Sequence, residues 1–159
     1  MATELQHAGA AGFLDGEGFI GTSVCTHKTQ RREYFQAIVD AAQGKPEPLH
    51  VLVDLFGGRV RLGRTNGGCG IAHYWRLYGD NAANVMKGVL PYLVAKRRQA
   101  ELILEFQTMK GTRGRIRSEA AYLRQIEIHG LCKELNARRV RHAERLSESA
   151  PQSDLRMVR

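Results

Sequence analysis

Paired cysteines, long apolar runs and clustered histidines are all missing from this 159-residue chain. Its three cysteines, Cys25, Cys69 and Cys132, stand far apart with no C-x-x-C pair. That spacing excludes a disulfide framework and a thiolate zinc site, and fits single thiols in a reducing compartment. The six histidines include no H-E-x-x-H or H-x₃-H pair. No apolar segment approaches the roughly 20 residues of a membrane span. Met1 is followed by a polar stretch rather than the apolar core of a secretory signal. The expectation is a soluble intracellular protein, in cytoplasm or an organelle matrix, with no signal peptide and no membrane partner.

What is present is an ordinary globular balance, 43% hydrophobic and 25% charged, of a length that suits one domain with a tail. The formal charge of +8 favours a polyanionic partner. A charge total does not choose between DNA, RNA and an anionic membrane. Up to Ala95 there are nine Lys/Arg against eight Asp/Glu, whereas from Lys96 onward there are fifteen against eight. The surplus therefore lies in the C-terminal part, where a solubilising basic tail is one reading.

Periodicity divides the chain into short elements. Glu4–Asp15 reads as a helix despite its glycines, with Gly16 and Gly18 as breakers. Small residues at Ala8, Ala11, Gly12 and Gly16 leave one helical face nearly bare, which suits tight internal packing or the approach of a second helix. Phe19–Thr26 and Tyr34–Ala42 alternate as strands, the second with Phe35, Ala37, Val39 and Ala41 on its apolar side. Pro46 and Pro48 open a helix over Leu49–Phe56, closed by Gly57-Gly58. Arg59–Arg64 and Cys69–Tyr78 form strands around an Asn66-Gly67-Gly68 turn, with Val60 and Leu62 inward and Arg59 and Arg61 outward. Asp80 or Asn81 caps a helix through Leu90, and Pro91 starts another through Gln107. A basic loop, Thr108–Arg117, precedes a last helix from Ser118 to about Arg138. The predicted fold is α+β, αββαββα, with a four-stranded antiparallel sheet covered by helices on one face. One domain spans 1–138 with its core at about 4–107, and 139–159 is a polar, flexible tail.

Ala10–Gly18, AAGFLDGEG, resembles the motif that names the LAGLIDADG homing endonucleases. The likeness extends to GKPEPLHVLVDLFGGRV, similar to that family's second helix and third strand, and to LPYLVAKRRQAELILEF, similar to its late lysine-bearing region. Together these matches cover roughly residues 8–107. The motif occurs once, so the resemblance implies a homodimer, with Ala8, Ala11, Gly12 and Asp15 where the motif helices of two subunits meet. It also implies double-stranded DNA as partner and Mg²⁺ as cofactor, with Mn²⁺ or Ca²⁺ also able to bind, and no organic cofactor.

Phosphodiester hydrolysis needs an activated water and charge stabilisation, which hard divalent ions on oxygen ligands supply. Glu17 lies past the predicted helix end, where the dipole is negative and an unpaired carboxylate is unfavourable. A cation there removes the conflict. By resemblance, Glu17 matches the metal-binding carboxylate, with Glu where the family often has Asp, and the Gly16 carbonyl matches its backbone ligand. Asp15 is expected to tie the helix end by hydrogen bonds. The resemblance further implies catalytic roles for Gln43, Lys45 and Lys96, the last selected by its place in P-Y-L-x-x-K and set one turn into a helix after Pro91.

For DNA, the outward side of the sheet offers Ser23, Gln36, Asp40, Arg59 and Arg61, with His27, Arg31 and Arg32 near the first hairpin. Tyr74 and Arg76 fall on the same side. Arg pairs with guanine, Gln with adenine, and Asp accepts from cytosine. Lys110, Arg113 and Arg115 of the basic loop suit phosphates. The implied function is site-specific cleavage of a long, nearly palindromic duplex, one phosphodiester per strand, leaving short 3′ overhangs. The alternative is a cleavage-inactive relative acting as an intron RNA maturase or DNA-binding regulator. The His/Asn cluster of HNH nucleases, the GIY…YIG pair and the P-D…(D/E)-x-K pattern are all absent.

Overall fold

The computed structural model describes residues 3–25, 33–64, 70–111 and 118–148, with side chains up to 137. In chain order the elements are α1 (Glu4–Glu17), β1 (Gly18–Cys25), β2 (Tyr34–Gln43), α2 (Glu47–Phe56), β3 (Val60–Arg64), β4 (Ile71–Tyr78), α3 (Gly79–Val89), α4 (Arg97–Thr108) and α5 (Glu119–Glu148). The strands form one antiparallel sheet in the order β1-β2-β4-β3, which leaves β2 and β4 central and β1 and β3 at the edges. This is the predicted α+β architecture.

Thr3 starts α1 through a capping box: its hydroxyl accepts from the Gln6 amide, and the Gln6 side chain accepts from the Thr3 amide at 2.8 Å. Ala10, Ala11 and Leu14 recur at helical spacing and bury one face of α1. The helix does not stop at Asp15 but runs through Gly16 to Glu17, because Gly16 keeps helical geometry and the break falls at Gly18. A Cβ at Gly18 would meet Leu14 backbone at 2.8 Å, so glycine lets β1 leave directly over the last turn.

Alternation in the strands sorts residues between two faces. Ile20, Val39, Leu77 and Trp75 lie on the covered face, and register sets Ile20 against Val39 and Val39 against Leu77. Trp75 is fully buried, and its indole donates to the Gly57 carbonyl at 2.9 Å. Gly57 and Gly58 both adopt positive φ, and a Cβ on Gly58 would come within 2.9 Å of Leu77. The double glycine that closes α2 thus also lets β3 pass close to the core. Leu62 has the predicted parity but is 64% exposed, on the edge strand of the sheet. The predicted turn at Asn66–Gly68 lies outside the described residues.

Two expectations need correction. No helix runs from Pro91 to Gln107: Leu90–Tyr92 is a single 3₁₀ turn, Leu93 is extended, and α4 begins after Lys96. Asp15 causes the break, because its carboxylate accepts from the backbone amides of Val94 and Lys96 at 2.7 and 2.8 Å. The last helix extends to Glu148 rather than ending near Arg138. Ser118 caps it as expected, accepting from the Ala121 amide. Arg124 joins α5 to Glu105 of α4 at 2.7 Å, which holds that carboxyl below its usual range. On β1, Thr22 Oγ1 meets His129 Nδ1 of α5 at 2.7 Å, and the Asn136 amide reaches the Ile20 carbonyl.

Candidate catalytic end and nucleic-acid face

Where α1 turns into β1, the sequence brings a carboxylate, a buried ammonium and a polar strand end together. Glu17 is exposed at the last position of α1 and has no hydrogen-bond or ion-pair partner among the described residues. Asp15, one turn-face away, is held inward by the two amides of the α4 approach, the tying role expected of it.

Lys96 departs from expectation. It is 3% exposed, and its Nζ donates to the carbonyls of Leu14 (2.5 Å), Asp15 (3.1 Å) and Gly18. Its ammonium therefore closes the carbonyl end of α1, beside the Gly18 amide that also donates to the Leu14 carbonyl, a position where a cation complements the helix dipole. The dipole conflict inferred for Glu17 is thus answered from within the chain. Burial is also the reason Lys96 does not present its charge to solvent, as a phosphate ligand would.

Gln43 ends β2. The pairing of Gly18 with Ala41 brings the last residues of β2 alongside the end of α1, with Gln43 half-buried and Lys45 exposed on the turn that follows. His73 faces Gln43 across β2 and β4, and its Nδ1–H donates to the Gly44 carbonyl at 3.2 Å. Nothing in the sequence pattern marked His73, which register alone brings to this end of β2.

The uncovered face carries the predicted readers in the central strands. Asp40 and Arg76 are directly paired, and Arg76 Nε donates to Asp40 Oδ2 at 2.5 Å. Burial works against the Arg76 cation, but bonds to Tyr78 and Asp40 hold its pKa above the ordinary value. Arg59, Arg61, Tyr74 and Arg76 share one cleft of about 480 Å³ with Arg64 and Tyr78. Arg64 and Tyr78 were missed: Arg64 has inward parity but sits at an open edge, and Tyr78 ends its strand. Tyr74 is less available than expected, since its hydroxyl donates to the Arg64 carbonyl at 2.7 Å. Gln36 is half-buried on the same face, whereas the Ser23 hydroxyl is buried with no hydrogen-bond partner among the described residues. Lys110 is half-buried beside Gly79 and does not line the cleft. His27, Arg31, Arg32, Arg113 and Arg115 lie outside the described residues.

The bare face of α1 is also shifted from its predicted line. Ala11 is fully buried in its own core and Asp15 is engaged inward, so neither lies on an open face. The open line runs through Leu5, Gly9, Gly12 and Gly16; a Cβ on any of these three glycines would meet nothing within 4 Å. Ala8 borders it, half-buried. Val94, 86% exposed and tied by its amide to Asp15, flanks the same end.

No family model matches the sequence, and no curated protein sequence matches it. Solved structures do share its fold. The homing endonuclease I-CvuI, in complex with the I-CreI target and Mg with the DNA not cleaved, superposes with a TM-score of 0.68 at 18% identity, over 83% of this chain and 82% of that one. The archaeal intron-encoded homing endonuclease I-Vdi141I, complexed with DNA, gives 0.66 at 13% identity over 83% and 84%. The homing endonuclease I-TnaI gives 0.55 at 18% identity over 81% and 94%.

Proposed function

From a chain with the LAGLIDADG homing endonuclease fold, we propose a site-specific DNA endonuclease that works as a homodimer on a long, nearly palindromic duplex. The observation that carries the reading is the combination of that fold with AAGFLDGEG at the end of α1, which leaves Glu17 exposed. The uncovered sheet, with its arginine-lined cleft, lies in the major groove of one half-site, where a β-ribbon fits.

The dimer follows from an energetic oddity of α1. Each glycine in a helix costs about 1 kcal/mol relative to alanine, and a Cβ at Gly9, Gly12 or Gly16 would meet nothing within 4 Å in its own subunit. A second α1 approaching at backbone distance, framed by Leu5 and Val94, gives them a purpose. That packing brings the two α1 ends, and with them two Glu17 carboxylates, to the two-fold axis.

The donor set fits a divalent ion. Glu17 and the Gly16 carbonyl are hard oxygen ligands, suited to Mg²⁺ and acceptable to Mn²⁺ or Ca²⁺. Among the described residues no three His, Cys, Asp or Glu side chains gather to form a metal site, so the second subunit's Glu17 is needed to complete one. When bound, the ion supplies an activated water and neutralises charge on the phosphate. Glu17 holds it, Gln43 orders nearby water, and Lys45 offers a solvent-facing ammonium to the backbone. Lys96 is a positioning residue that fixes the carbonyl end of α1 on which Gly16 and Glu17 sit. One phosphodiester is cut per strand, leaving short 3′ overhangs.

A randomised plasmid library incubated with the protein and Mg²⁺ tests this. Wild type is expected to linearise a sequence subset, and Glu17→Gln to bind the same subset without cutting it. A wild type that cuts nothing across metals and salts would point instead to a protein that binds nucleic acid without cleaving it.

A further inference from the structure

We propose that Arg76 reads a guanine in each half-site and that Asp40 is its buttress rather than a reader of cytosine; the proposal rests on the DNA-binding reading above. Both side chains rise from the two central strands, directly opposite one another on the uncovered face. The carboxylate lies at the bottom of the pair, its side chain 13% exposed, and the guanidinium above it is 43% exposed. A base edge entering from the groove therefore meets Arg76 first.

The guanidinium is held in one orientation. Its Nε donates to Asp40 Oδ2 at 2.5 Å, Nη2 pairs with the same oxygen, and Nη1 approaches the Tyr78 hydroxyl at 3.5 Å. A guanidinium carries five N–H donors in a planar fork. With one edge fixed by Asp40 and an Nη1 proton directed to Tyr78, the donors left over are one on each terminal nitrogen, at the far end of the fork. That pair matches the two acceptors O6 and N7 of guanine, and no other base presents two acceptors side by side in the major groove. Asp40, covered by its partner, has no comparable route to a cytosine N4 amino group. A cross-strand ion pair serving the sheet alone would add little, since half-exposed pairs contribute at most about 1 kcal/mol.

Selection of bound duplexes from a random library, run with wild type, Arg76→Gln and Asp40→Asn, separates the roles. Wild type should enrich a guanine at one symmetric position. Both variants should lower that preference by about tenfold or more, at that position alone, with thermal unfolding little changed. Replacing that guanine by 7-deazaguanine, which lacks the N7 acceptor, should weaken wild type and leave Arg76→Gln unaffected; this arm needs no folded Asp40 variant. Relaxation of Asp40→Asn at a different base pair from Arg76→Gln, or an unchanged guanine preference in either variant, would overturn the proposal while leaving DNA binding intact. A wild type that enriches no sequence would overturn both.

Discussion

An ammonium enclosed by three carbonyls is hard to replace, and Lys96 is expected to show it. Lys96→Met removes the charge-assisted bonds of a buried ammonium, a loss of about 2–3 kcal/mol, which thermal unfolding should register as a fall of roughly 4–12 °C. Lys45→Met, at an exposed position, should leave the unfolding temperature within about 2 °C and act on cleavage instead. His129 supplies a pH signature. Burial, with Lys133 nearby, lowers its pKa against a smaller opposing pull from Glu33. Its depressed folded value means it contributes full stability above the unfolded value near 6.5, and that contribution is lost as pH falls below it. Unfolding temperatures across pH 5 to 8 should drop on the acid side, and His129→Gln should flatten that drop. At this scale the sequence was legible in strand parity, which set Arg61 and Arg76 on the side where they share a cleft; Glu17, expected past the helix end, is its last residue instead. It was not legible where a side chain's task depends on a distant backbone. Nothing local to Lys96 says that the carbonyls it meets lie some eighty residues earlier, and Asp40 gave no sign that its partner would be Arg76.

Among the elements, α1 carries the prediction with the cleanest separation of fold from assembly. Gly12 has open space around its missing side chain, and a larger residue improves helix propensity. Gly12→Leu should therefore leave the subunit as stable as wild type or more so, while blocking the approach of a second helix. Sedimentation should then find the variant monomeric where wild type is dimeric, with cleavage abolished. A dimeric Gly12→Leu protein would move the interface elsewhere. The strands and the order of elements were readable from alternation and turn residues, because each is a local pattern. The start of α4 was not. Pro91 is a fair helix opener, but the carboxylate of Asp15 captures the Val94 and Lys96 amides and delays the helix to Arg97. Small residues marked α1 correctly, yet the face was misjudged by one position, since only the buried set Ala10, Ala11 and Leu14 fixes which side is open.

For the whole molecule, the proposed function together with the charge of +8 and the arginine-lined cleft predicts an affinity for duplex DNA governed by counterion release. Binding should weaken linearly in log–log terms as salt rises, and Arg61→Gln should flatten the slope by about one. Salt dependence alone would suit any basic protein, so it is the two-fold arrangement that distinguishes this account. The most direct measurement is a crystal structure of the protein on its selected duplex with Ca²⁺. Two copies should straddle the site, their α1 helices in contact along Gly9, Gly12 and Gly16, with both Glu17 carboxylates beside the axis and a cation between them. One copy per duplex, or two whose Glu17 side chains stay far apart, would contradict it.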